Sequence, residues 1–121
     1  MAEHIQLDVP LSQVHARTVR AVTVAICADL GYPLDVIEDL RLGVNEAVTV
    51  LADVSDTVDG RLTVVFEPAA SQIAIRCVRS GAADALVLDD LAERILDTVV
   101  DRHHVTEDAV TVVKQIPSLE V

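Results

Sequence analysis

Leu34-Asp-Val-Ile-Glu-Asp-Leu-Arg-Leu-Gly-Val-Asn-Glu-Ala-Val-Thr-Val-Leu51 decides the layout of the chain. Ile37, Leu40, Val44, Val48 and Leu51 recur at steps of three, four, four and three residues, which is one face of an α-helix. Pro33 precedes the stretch, and Asp35, Glu38 and Asp39 put negative charge into its first turn, where the helix dipole favours it. A helix with one apolar stripe has to lay that stripe on a second layer, and its neighbours in sequence supply one.

Downstream, Asp59-Gly60 signals a turn. Leu62, Val64 and Phe66 then alternate with Arg61, Thr63, Val65 and Glu67 as in a strand. Pro68 to Ser71 turns the chain, and Ile73, Ile75 and Cys77 mark a second strand, giving an antiparallel hairpin. A loop around Ser80-Gly81 leads to a third helix from about Leu88, with Leu88, Leu91, Ile95 and Val99 as its expected buried stripe. Val105-Thr106, a Glu107-Asp108 turn and a strand over Val110 to Ile116 close the chain.

Upstream, residues 3–9 alternate as a strand with Ile5, Leu7 and Val9 on one face. Pro10 ends it, and Ser12 is the expected N-cap of a first helix running to about Leu30, where Gly31 stops it. Residues 21–28 of that helix are uncharged all round, so it needs cover on more than one side, and a homodimer is expected to provide it. Strands joined as hairpins and helices arriving in a block predict an α+β two-layer sandwich, with a mostly antiparallel sheet and about three helices on one face.

Composition narrows the function. The 121 residues suit a single domain over residues 1–121, and 51% apolar content suffices for a core. That core is almost wholly aliphatic, because Tyr32 and Phe66 are the only aromatic residues. Twenty acidic against nine basic residues give a net charge of −11, with no Lys/Arg cluster to displace counterions from a nucleic-acid backbone. The acidity favours basic partners, proteins included. No window is apolar enough for a membrane span and no signal peptide opens the chain, so a cytoplasmic location is expected. Eight arginines against one lysine suit a GC-rich bacterial genome. Cys27 and Cys77 stand among apolar residues without metal-ligand spacing, and are read as small buried side chains. His103-His104 does not make a metal site, since adjacent residues point apart on a strand, and no metal is expected.

Asp39, Leu40, Arg41, Leu42, Val44, Glu46, Ala47 and Thr49 match the nucleotide-binding helix of RsbW-type anti-sigma factors, which the 34–51 stretch resembles. The likeness extends in layout to the first helix, with His15-Ala16-Arg17, and to the hairpin. It implies the histidine-kinase-like (GHKL) ATPase fold, here with a truncated lid. In that family a Glu and an Asn one turn apart face the nucleotide, the Asn helping to hold Mg²⁺ and the Glu acting as general base. This chain keeps Glu46 but has Val50 in the partner position, and an isopropyl group ligates nothing. The family's second box carries an Asp that reads the adenine amino group. Here the chain reads Val78-Arg79-Ser80-Gly81-Ala82-Ala83-Asp84, and Arg79 has donors but no acceptor. Residues 85–91 lack the glycines of a phosphate cradle, and Asp84 lacks the glycines that should follow it. Asn45 points about 100° away from Glu46 around the helix, and Asp53 lies about two turns beyond it.

With three parts of the pocket altered, no cofactor is expected, and the resemblance implies regulation by protein binding. The implied partners are a sigma factor, an anti-anti-sigma (STAS-type) protein, or both, met through Arg17 with Arg20 beside it. The alternative is an active serine/threonine-protein kinase using Glu46 and Mg·ATP on an anti-anti-sigma factor. A second alternative is an unrelated dimeric α+β interaction module.

Overall fold

The computed structural model describes residues 4–53, 59–82 and 84–117. Glu3 and Ala83, expected in the first strand and the second box, lie outside the described residues. Strand β1 (Ile5–Pro10) leads through a 3-10 turn (Gln13–His15) into helices α1 (Ala16–Asp29) and α2 (Leu34–Leu51). Strands β2 (Arg61–Pro68) and β3 (Gln72–Ser80) follow, then α3 (Asp90–Val99), β4 (Arg102–Val105) and β5 (Ala109–Gln115). The five strands form one sheet in the order β1-β2-β3-β5-β4, with every neighbouring pair antiparallel. This is the expected α+β arrangement.

Alternation sets the two faces of the sheet. Leu62, Val64 and Phe66 of β2, Ile73, Ile75 and Cys77 of β3, and Val110 and Val112 of β5 are all fully buried. They share one core with Leu40, Val44, Val48 and Leu51 of α2. The periodic stripe that predicted the helix is therefore the stripe laid on the sheet. Lys114 continues the inward face of β5 and donates to the Asp39 carboxylate of α2 at 3.0 Å, tying helix to strand. Both α1 and α3 pack against α2. Gly43 makes room for α3, because a Cβ there would stand 3.0 Å from a methyl of Val100.

Local chemistry sets the element ends. Gly31 takes a left-handed φ of +73°, its N–H donates to Ala28 O and the Tyr32 N–H donates to Cys27 O. That pair of bonds is the Schellman stop, which wants glycine at this point. Ser12 does cap, but it caps the 3-10 turn, accepting from the Val14 N–H at 3.2 Å, so α1 begins four residues later than its cap. Gly81, at φ +83°, leaves β3 where the chain crosses Gly60. A Cβ there would lie 2.9 Å from Gly60 Cα, so two backbones touch with nothing between them.

One expectation changes. The stripe of α3 is Ala92, Leu96 and Val99, whereas Leu91 is 66% exposed and Leu88 precedes the helix. Asp89 caps the helix through a bond from the Ala92 N–H, and that start point rotates Ala92 inward in place of Leu91. In α1 the buried side is Ala16, Val19, Thr23, Ile26 and Cys27, while Ala21, Ala25 and Ala28 face outward. Within this chain the outward side of the uncharged stretch 21–28 thus consists of alanine methyls, while its larger side chains turn inward or lie half-buried. Cys27 and Cys77 are both free and buried, and burial pushes their thiols up to about 11 and about 12. Neither is a thiolate at neutral pH.

Candidate functional site

The C-terminal half of α2 carries Glu46 and Val50 one turn apart, both half-buried, with Asp53 just past the helix end. Arg79 comes from the inward face of β3, in the alternation Ile73, Ile75, Cys77, Arg79. The fold brings these elements together. A cavity of about 190 Å³ is lined by Val50, Asp53, Arg79, Asp84, Ala85, Leu86, Val87 and Asp89. Four residues weighed in the sequence for nucleotide chemistry, Val50, Asp53, Arg79 and Asp84, therefore meet at one end of the helical layer, with Glu46 one turn before Val50 on α2 and outside the lining.

Arg79 dominates the electrostatics. It is 4% exposed, and every nitrogen of its guanidinium is engaged. Nε donates to Asp108 Oδ1 at 3.1 Å, Nη1 to Leu51 O at 3.2 Å, and Nη2 to Asp84 O at 2.6 Å and Glu107 O at 3.3 Å. Four of its N–H groups are thus committed, and one of them faces the carbonyl end of α2, where the helix dipole is negative. Around it stand the carboxylates of Asp53, Asp84 and Asp89. Glu46 is close enough to feel Asp89: its carboxyl is held above its ordinary value first by burial, then by the Asp89 charge.

The cavity is smaller than the roughly 300–1,000 Å³ usual for small-molecule sites. Arg79, the basic residue of its lining, is spent on internal acceptors. Among the described residues no group of three or more His, Cys, Asp or Glu side chains is placed to hold a metal ion.

The other residues singled out in the sequence lie elsewhere. Arg17 is exposed on α1 and lines a shallow depression with Gln13, Val14, Ala16, Thr18 and Arg20. Arg20 is half-buried and donates from Nη1 to Asn45 Oδ1, so Asn45 serves the packing of α1 on α2. His103 pairs Nδ1 to Asp97 Oδ1 at 3.4 Å, whereas His104 lies on the other face of the sheet. Asp108, Glu107 and Asp89 were missed as members of the site. The available signal was an arginine in an inward position of an alternating strand, which demands buried acceptors from somewhere.

The raised carboxyl of Glu46 has a measurable consequence. A carboxyl raised on folding stabilises the fold fully below its ordinary value of 4.5, and that contribution is lost as pH rises through the raised value. Glu46→Gln removes this loss. Urea unfolding from pH 4 to 8 should show the variant gaining on the parent as pH rises. Parallel pH profiles for the two proteins would contradict the assignment.

No protein-family model matches the chain, and no curated protein matches it in sequence. Among solved structures, the chain is similar to the crystal structure of the RsbU and RsbW domains of Rv1364c from Mycobacterium tuberculosis, with a TM-score of 0.65 and 18% identity. The likeness covers 98% of this chain and 33% of that one, so the chain spans about a third of the length of the protein it matches. It shows an RsbW-like fold. Among the described residues no helix is long and apolar enough to cross a membrane.

Proposed function

We propose that this RsbW-like domain is a bacterial, cytoplasmic partner-switching regulator that acts by stoichiometric protein binding, with a sigma factor, an anti-anti-sigma protein, or both as its partners. The observation that carries the reading is Arg79. At the place where the resemblance puts an acceptor for adenine, the chain holds a buried cation hydrogen-bonded through all three guanidinium nitrogens. Binding without ATP chemistry is supported by that exchange, by Val50 in the metal-ligand position, and by a small cavity ringed with carboxylates. Glu46, the general base of the kinase alternative, stands close enough to Asp89 for that negative charge to raise its carboxyl further, after burial.

Arg17 is the proposed partner contact: exposed, basic and free to meet a carboxylate, in a chain of net charge −11. Arg20, engaged with Asn45, orders the same surface from behind. A second copy belongs to the proposal as well, through the outward alanines of α1 and the exposed Leu30 and Leu34 beside them.

Calorimetric titration with Mg·ATP and Mg·ADP tests the reading on the nucleotide side. No heat is expected at millimolar nucleotide at either of two temperatures. Micromolar, magnesium-dependent binding would hand the lead to the kinase. On the partner side, the sigma factors and STAS-type proteins of the source genome are titrated individually. One of them should bind stoichiometrically, and Arg17→Glu should weaken it about tenfold or more, the loss of one charge pair worth ~1.4 kcal/mol.

A further inference from the structure

We infer that the acceptors around Arg79 form a guanidinium-binding site that the chain fills with its own side chain, and that this internal ligand holds residues 84–89 closed as a strap. Three separate segments supply the acceptors: the last turn of α2 through Leu51 O, the strap through Asp84 O, and the β4–β5 turn through Glu107 O and the Asp108 carboxylate. Arg79 reaches them from a fourth element, β3, whose backbone at the same residue also donates to Asp108 O at 2.8 Å. The three acceptor segments lie far apart in sequence, and the guanidinium bonds to all three of them at once.

The strap has little else to hold it. Residues 84–89 form no helix or strand, and Val87 is 82% exposed. Open space lies on both sides of Asp84 and Ala85: the 190 Å³ cavity on one side, and on the other a pocket lined by Ala82, Glu107 and Asp108. Apart from the half-buried Leu86 and Leu88, and from Asp89, which caps α3, its anchors among the described residues are the Arg79 bond to Asp84 O and the Leu86 N–H bond to Glu107 O at 2.9 Å. Glu107 O therefore accepts from both Arg79 and Leu86. Withdrawing the guanidinium frees the Asp84 end of the strap, loosens the Leu86 bond with it, and leaves a cluster of oxygens that suits a guanidinium ion.

Amide exchange of the Leu86 N–H, followed by NMR in Arg79→Ala, tests this inference. Its exchange should accelerate at least about tenfold, well beyond the change at amides in the middle of β2 and α2. About 20 mM guanidinium chloride, far below denaturing concentrations, should slow it again, and equal sodium chloride should not. Unaltered Leu86 exchange overturns the proposal. So does acceleration spread evenly over the chain with no response to guanidinium. If Arg79→Ala does not fold, Arg79→Lys serves instead. It retains the charge but lacks the fork, so a loosened strap in a folded protein supports the site and full Leu86 protection overturns it.

Discussion

Phe66→Ala is expected to lower the unfolding free energy by about 3–5 kcal/mol, the cost of emptying a fully buried aromatic position. Phe66 is completely buried on the inward face of β2, opposite Ile5 on one side and Ile75 on the other. It is the only phenylalanine in a core otherwise built of aliphatic side chains. A core of that composition has no long flexible neighbour able to swing into the void, so the cavity should persist. Phe66→Leu keeps most of the volume and should lose less than half as much. Chemical unfolding of both variants beside the parent checks the pair, and similar losses for Ala and Leu would mean that the site collapses around small residues.

The second large effect belongs to a position without a side chain. Gly81→Val should cost about 2–5 kcal/mol, combining ~1–2 for a left-handed backbone with ~1–3 for forced overlap. Both contributions can be separated within this protein. Gly31 has a similar φ of +73°, but a methyl added to it would meet nothing within 4 Å, whereas one on Gly81 would meet Gly60 backbone at 2.9 Å. Gly31→Ala should therefore lose only the conformational part, about 1 kcal/mol. If Gly31→Ala and Gly81→Val cost the same, the contact between the two glycines contributes nothing.

The parts of the fold legible in the sequence were those in which one face of an element faces the core and the other faces water. The α2 stripe and the β2–β3 hairpin are of that kind, and their limits agree with the structure. Helix α3 was legible as a helix but not in its rotation. Leu91–Ile95 and Ala92–Leu96 offer competing stripes one residue apart, and alanine hardly registers in a pattern of hydrophobic residues. The close approach of Val99 and Val100 to Gly43 is part of what decides between them, and that is a tertiary fact. For α1, the uniform apolarity did not reveal which side faces the core, because the pattern does not separate alanine from valine.

At the candidate site, comparison with a known motif identified Arg79 as a lost acceptor. What the arginine does instead was not legible. Its partners lie 28, 5, 28 and 29 residues away in sequence, and three of the four are backbone carbonyls, which no residue pattern marks. Val50, Asp53 and Asp84 were each weighed separately. That they share one corner follows from how α2 lies across β3, a packing relation absent from any local stretch.

The strand order also bears on how the protein can be made. Among the described strands β1 pairs with β2 alone, with Ile5 opposite Phe66, so within this sheet it waits for β2 to be synthesised. Helices α1 and α2 emerge from the ribosome in between, and closing this long loop is an entropic cost that the later hairpin β2–β3 does not carry. During that interval β1 is an unpaired strand bearing Ile5, Leu7 and Val9. Its shortness, the charge of Asp8 and the missing N–H of Pro10 are then what keep it from pairing with a neighbouring nascent chain.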